Sequence, residues 1–281
     1  MDIPWISPLK IICGNCLRES THVSLSAKSF GFYNSCELDT RPLAIYDVIL
    51  IGAKLVQECP FCKYCYSDIQ NISKLGEVTL LNPAYHSQIT NKDCSTLTNQ
   101  FLCKALIEEA EGNIIAAAWS NILAAWCCDD SGNHFQAKQC RLKAVELLQL
   151  GRNIGLTVFE KEGEFVSLLV DLNRRSDNLR ISKQLAEHRF KIETESLFKK
   201  LLFFQINLCD RQDIARHSIE DAVHYYDKNQ IADLDTLQFN SNNFYADSKT
   251  DHDRDYFDAM TDGQLGDYDD FKEGGGNIDD L

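Results

Sequence analysis

A chain of 281 residues with 44% apolar content has material for a substantial core and room for about two domains, so it is not a small disulfide scaffold. Its twelve cysteines follow a start, Met1-Asp2-Ile3-Pro4-Trp5, with neither the basic residues nor the apolar run of a secretory signal, which predicts a reducing, cytoplasmic compartment. Asp227 to the end carries fourteen Asp and one Glu against four Lys or Arg, so −11 of the net −14 lies in the tail and −3 in the other 226 residues, a balance that counts against nucleic acid as a partner.

The first quarter of the chain is organised around two cysteine pairs, Cys13-Gly14-Asn15-Cys16 and Cys59-Pro60-Phe61-Cys62. Two-residue spacing lets both thiolates of a pair reach one tetrahedral ion, and two pairs complete a closed four-sulfur site with no position left for substrate. The expectation is a structural zinc held by Cys13, Cys16, Cys59 and Cys62 in a zinc ribbon. The 42 residues between the pairs exceed the roughly 15–20 of the commonest template, so the ribbon would carry a long insert. His22-Val23-Ser24-Leu25 alternates as a strand, Gly31 to Pro42 turns the chain, and Tyr46 to Val56 reads as a second strand into Cys59. His22, Cys36 and Cys65 stay open as substitute ligands or ordinary residues. Cys62-Lys63-Tyr64-Cys65 can also be read as a redox pair, although no helix N-terminus is evident there to lower a thiol pKa.

Residues 67 to 96 read as a polar connector marked by Gly76, Asn82-Pro83 and Asn91-Lys92-Asp93, after which the period changes to about 3.6. A helix from Leu97 ends at Glu111-Gly112-Asn113, with Gly as the residue past the C-cap and Asn as the next N-cap. The following helix places Ile115, Ala118, Trp119, Ile122 and Trp126 on one stripe, and a third covers it with Ala137, Cys140, Ala144 and Leu148 inward and Arg141 and Lys143 outward. Two further helix-turn-helix units break at Arg175-Ser176-Asp177-Asn178 and near Cys209-Asp210-Arg211. Aligning Ala137, Ser182 and Ala215 gives spacings of 45 and 33 residues, the second close to the 34 of a tetratricopeptide repeat; a generic helical bundle is the alternative.

Arg41-Pro42, Tyr46-Asp47-Val48 and Glu58-Cys59-Pro60-Phe61-Cys62-Lys63-Tyr64, with the earlier Cys-x-x-Cys and an Arg-Arg-Ser-Asp turn, together resemble the uncharacterised bacterial family called domain of unknown function 2225 over about residues 10 to 225. The resemblance implies a bacterial cytoplasmic protein with Cys13, Cys16, Cys59 and Cys62 as metal ligands, and it implies no reaction. Lys63 departs from the pattern, standing where the family has a knuckle glycine that often takes positive φ.

No phosphate loop, nucleotide fingerprint, nucleophile elbow or His-Glu-x-x-His occurs, and the seven histidines lack ligand spacing, His217 and His224 included. Cys127, Cys128 and Cys140 read as small buried hydrophobes. Asp251 to Asp262 imitates a calcium loop but has Tyr256 at the glycine position.

The expected fold is α+β: a zinc-ribbon domain and connector over 1–92, a tetratricopeptide-like helical domain over 93–227, and a disordered acidic tail over 228–281. The expected function is a non-enzymatic adaptor for a protein or peptide, with no membrane association and an open oligomeric state. A nucleic-acid-associated ribbon or a metal or thiol enzyme is the alternative. Arg141, Lys143, Arg174, Arg175, Lys183, Arg189, Lys199 and Lys200 are expected as exposed cations that could dock an acidic segment such as the tail.

Overall fold

The computed structural model describes residues 6–25, 36–42 and 55–228. The strand expected over Tyr46 to Val56 falls mostly outside them, as do the tail and its calcium-like loop. The described part is mostly helical, with a small strand pair near the N-terminus and a cysteine cluster, and it divides into two units. The first comprises residues up to Cys36 together with Arg41–Gly151, and the second comprises Glu37–Thr40 together with the residues from Arg152 onward. The expected boundary at 92/93 lies inside the first unit.

In the first unit, β1 (Ile6–Ile12) pairs antiparallel with β2 (Glu19–Leu25), in register from Ile6 opposite Leu25 to Ile12 opposite Glu19. A shorter ladder joins β3 (Gln57–Glu58) to β4 (Cys65–Tyr66). β1 precedes the first cysteine pair and was not anticipated. Pro8 and Lys10 interrupt its apolar pattern, leaving Ile11 as the buried residue between exposed Lys10 and Ile12.

The connector is not loop but two short helices, α1 (Lys74–Leu80) and α2 (Pro83–Ile89). Their signals are in the caps. The Ser73 hydroxyl accepts from the Gly76 amide, the Asn82 side chain accepts from the Ala84 amide, and Pro83 takes the first-turn position where its missing N–H costs nothing. α3 (Thr96–Ala110) and α4 (Ile114–Asp130) then form an antiparallel hairpin, followed by α5 (His134–Asn153).

Gly112 closes the α3–α4 turn at φ 77°, as the sequence suggests. Asn113 sits at the N-cap of α4 but makes no side-chain cap; its amide donates instead to Glu111. α4 is buried well beyond one stripe, from Ala117 to Cys128 apart from half-buried Trp119, because it packs between neighbours. Its polar positions are satisfied internally: the Ser120 hydroxyl donates to Glu108 of α3 at 2.5 Å. Arg141 does not face out. It is buried against Asp129, and Lys143 is half-buried between Glu109 and Glu146.

The second unit contains α6 (Glu162–Arg175), α7 (Leu179–Ile192), α8 (Ser196–Asp210) and α9 (Ile219–Lys228). Ala215 lies in the loop before α9 and not at a helical repeat position. Ala137 and Ser182 are the fourth residues of α5 and α7, and the fourth residue of α9 is Ala222. The spacings become 45 and 40, so the 33-residue period disappears. The loop's length has a cause: Arg174, fully buried, donates to the carbonyls of Asp213 at 2.6 Å and Ala215 at 2.9 Å while holding Asp171 at 2.6 Å. Its exit is fixed by a reciprocal cap, the Ser218 amide donating to the Asp221 carboxylate at 2.8 Å and the Asp221 amide donating to the Ser218 hydroxyl at 3.0 Å.

Candidate metal centre

The two cysteine pairs occupy equivalent turns. Cys13 to Arg18 closes the β1–β2 hairpin and Cys59 to Tyr64 closes the β3–β4 hairpin, six residues in each case. In the first turn the Leu17 amide donates to the Cys13 carbonyl at 2.8 Å and the Cys13 amide to the Arg18 carbonyl at 3.1 Å. The second repeats both bonds: Lys63 to Cys59 at 2.9 Å and Cys59 to Tyr64 at 2.8 Å. Leu17 at φ 58° and Lys63 at φ 65° take the left-handed conformation directly after the second cysteine of each pair. The conformation expected at Lys63 is therefore present, and its counterpart at Leu17 is a second instance. For a residue with a Cβ it costs about 1–2 kcal/mol. Leu17 is 77% exposed and contributes little packing. Leu17→Gly should accordingly raise stability by about 1 kcal/mol, read as a higher urea midpoint with unchanged slope.

This turn geometry brings the four sulfurs together. Cys13 Sγ lies 3.6 Å from Cys62 Sγ, Cys16 Sγ lies 3.6 Å from Cys59 Sγ, and all four sulfurs fall within 4.8 Å of one another. A tetrahedron with metal–sulfur bonds of about 2.3 Å has edges of about 3.8 Å, so the observed spacing fits an ion at the centre. Cys13 and Cys59 are buried, and Cys16 and Cys62 are half-buried. Burial pushes the Cys13 thiol up to about 12, so a bound cation would have to supply the energy that holds it as thiolate. The four residues could hold a metal ion such as zinc.

Neighbouring chain fixes both turns. The Gly14 amide donates to the Ile69 carbonyl at 2.8 Å, and a Cβ on Gly14 would lie 2.5 Å from the Gln70 carbonyl oxygen, so the close approach requires glycine. The Tyr64 hydroxyl donates to the Asn71 carbonyl at 2.8 Å. The Tyr85 hydroxyl of α2 donates to the Lys63 carbonyl at 2.8 Å and accepts from the Cys65 amide at 2.9 Å, clamping the second turn to the helices. The Arg18 guanidinium stacks on Phe61 at 3.5 Å, joining the two turns outside the cluster.

His22, Cys36 and Cys65 do not join the cluster. The His22 ring nitrogen sits 2.8 Å from the Ser20 hydroxyl, and Cys36 lies in an isolated bridge opposite Pro42. Cys65 is buried, and that burial pushes its thiol well above the ordinary range, the opposite of what a redox nucleophile needs. His217 bonds to Asp213 at 3.1 Å, while His224 is exposed.

A second constellation escaped sequence reasoning. Glu37-Leu38-Asp39-Thr40 belongs with the second unit although its flanking residues belong with the first. The Leu38 amide donates to the His217 carbonyl at 3.0 Å, and Glu37 forms an antiparallel bridge with Ser218. The Leu38 side chain enters a core cluster with Phe198, Leu201, Phe204, Leu208 and Ala222. Asp39, fully buried, accepts from Arg175 at 2.5 Å, and Glu37 accepts from Arg216 Nε at 3.0 and 3.1 Å and again from its terminal nitrogen. Arg174 and Arg175 are therefore buried structural cations and not an exposed docking stripe. Other members of that expected stripe are paired as well: Lys183 with Asp210, Arg189 with Glu193 and Lys200 with Asp227.

No helix among the described residues is long and apolar enough to cross a membrane. Comparison of the chain with protein-family models, curated proteins and solved structures finds no match.

Proposed function

We propose that the chain is a zinc-binding, non-enzymatic adaptor in which the four-cysteine site is structural and the second unit binds short acidic peptide segments. Four protein thiols around one centre leave no coordination position for substrate, which assigns the metal to folding. The resemblance to domain of unknown function 2225 agrees with this reading, since it suggests the same four ligands and no chemistry.

The observation that carries the peptide-binding part is Glu37–Thr40 itself. This four-residue turn, closed by the Thr40 amide donating to the Glu37 carbonyl at 2.9 Å with Thr40 at φ 69°, is held by one further backbone hydrogen bond, one inserted leucine and two carboxylate–arginine pairs. A backbone hydrogen bond, an apolar pocket and paired arginines are together the contacts by which a short acidic peptide can be recognised. The test adds a synthetic Glu-Leu-Asp-Thr peptide in trans to the wild-type full chain and follows exchange of the Leu38 amide by NMR. Competition predicts faster Leu38 exchange as peptide rises, with a Gln-Leu-Asn-Thr peptide inert. Exchange unchanged at millimolar peptide would contradict the peptide-binding reading.

A further inference from the structure

The site on the second unit states what its occupant must carry. Arg175 is buried and Arg216 is about half-exposed, and they meet two carboxylates placed on either side of one leucine. An occupant without a carboxylate at the place of Asp39 would lose the 2.5 Å pair with buried Arg175, so the site favours a segment of the same acid-Leu-acid pattern. That pattern occurs twice in the sequence. The first copy is the one seated in the site, Glu37-Leu38-Asp39-Thr40, and the second is Asp233-Leu234-Asp235-Thr236, which matches it through the threonine.

The second copy is also within reach. Asp233 follows the last described residue of α9, Lys228, by five positions. α9 has ten residues and therefore runs about 15 Å. Six residues from Lys228 to Leu234 span up to about 20 Å when extended, enough to double back along α9 to Ala222, Ser218 and Arg216, where Leu38 and Glu37 are held. A segment tethered this closely acts at an effective concentration on the order of millimolar.

We infer that Asp233–Thr236 is a second ligand for the site that Glu37–Thr40 occupies, so that one pocket is contested by two copies of one motif in the same chain. Competition by this route needs no exposed cation stripe; it needs Arg175, Arg216 and the pocket that takes Leu38. The inference rests on reading the second unit as a peptide-binding element and is independent of the metal.

The experiment compares Leu38 amide exchange in three full-length proteins: wild type, the tail triple variant Asp233→Asn, Leu234→Ala, Asp235→Asn, and Asp233→Glu, which makes the two motifs identical. All substitutions lie beyond α9, so none removes a contact described in the second unit. Loss of the tail motif should slow Leu38 exchange about twofold or more, because the competitor that captures the open site is gone, and Asp233→Glu should speed it. Equal rates in the three chains overturn the inference. If free Glu-Leu-Asp-Thr peptide speeds Leu38 exchange while all three chains behave alike, the pocket binds peptides but the tail is not its second ligand. That outcome also overturns the inference, while leaving the peptide-binding reading standing.

Discussion

Replacing Cys59 with serine is expected to abolish metal binding and to melt both hairpins with their turns. Apparent zinc-coupled folding energies in small modules are on the order of 10–16 kcal/mol at neutral pH, comparable to the whole stability of an ordinary domain. The structure identifies what depends on it. β3 and β4 contribute two residues each, and Glu58 opposite Cys65 is their innermost pair, so the ladder is too short to stand without the turn it encloses and its side-chain bonds to neighbouring chain. The Tyr85 clamp holds the Lys63 carbonyl and Cys65 amide but does not replace the cross-link between the two turns. Cys65→Ser, by contrast, should leave the metal bound, because Cys65 lies outside the cluster. Metal analysis and hydrogen exchange of the hairpins would read both variants; retained stoichiometric metal in Cys59→Ser would refute the assignment.

The next largest effect is expected at Asp39. Breaking a buried ion pair from one side costs about 3–5 kcal/mol, since the remaining charge stays buried without compensation. Asp39→Asn should lower the stability of the second unit by about this amount, because Arg175 loses its 2.5 Å carboxylate partner. The double variant Asp39→Leu, Arg175→Leu removes both charges and should recover most of the loss, since apolar replacement of a buried pair is often close to neutral. Trp119 and Trp126, the tryptophans among the described residues, fall in the first unit, so urea denaturation of the second should be followed by exchange of amides in α6 and α8. A loss under about 1 kcal/mol for Asp39→Asn would place the pair in the surface class and remove its structural role.

What was legible in the sequence was local. A Cys-x-x-Cys pair encodes its own turn, because three-residue separation and the amide bonds back to the first cysteine fix the two sulfurs. The two-residue Cys-x-x-Cys turn places Lys63 and Leu17 alike directly after the second cysteine, but nothing in either side chain signals a positive φ. α3 and α4 were legible from periodicity and from Gly112. α1 and α2 were not, because seven-residue helices carry barely two turns of pattern and their signals lie in Ser73, Asn82 and Pro83.

The misreadings share one physical origin. Arg141, Arg174 and Arg175 look like solvated positions on a helical wheel, and only the fold supplies Asp129, the Asp213 and Ala215 carbonyls, and Asp39 to bury them. Sequence separation sets the difficulty. Arg141 finds its partner 12 residues away, whereas Arg175 reaches 136 residues back to Asp39 and Arg216 reaches 179 back to Glu37. No helical periodicity spans such distances. The recurrence of acid-Leu-Asp-Thr at 37 and 233 was visible in the sequence, but nothing marked it as meaningful until one copy was seen in its pocket.

The central claim, a closed four-thiolate metal site built from two equivalent turns, is tested most directly by zinc X-ray absorption on the full-length protein purified without chelator, together with metal stoichiometry. The account predicts about one zinc per chain surrounded by four sulfurs at about 2.3 Å, with no oxygen ligand from water. Protein free of zinc, or a zinc with fewer than three sulfur ligands, would contradict it.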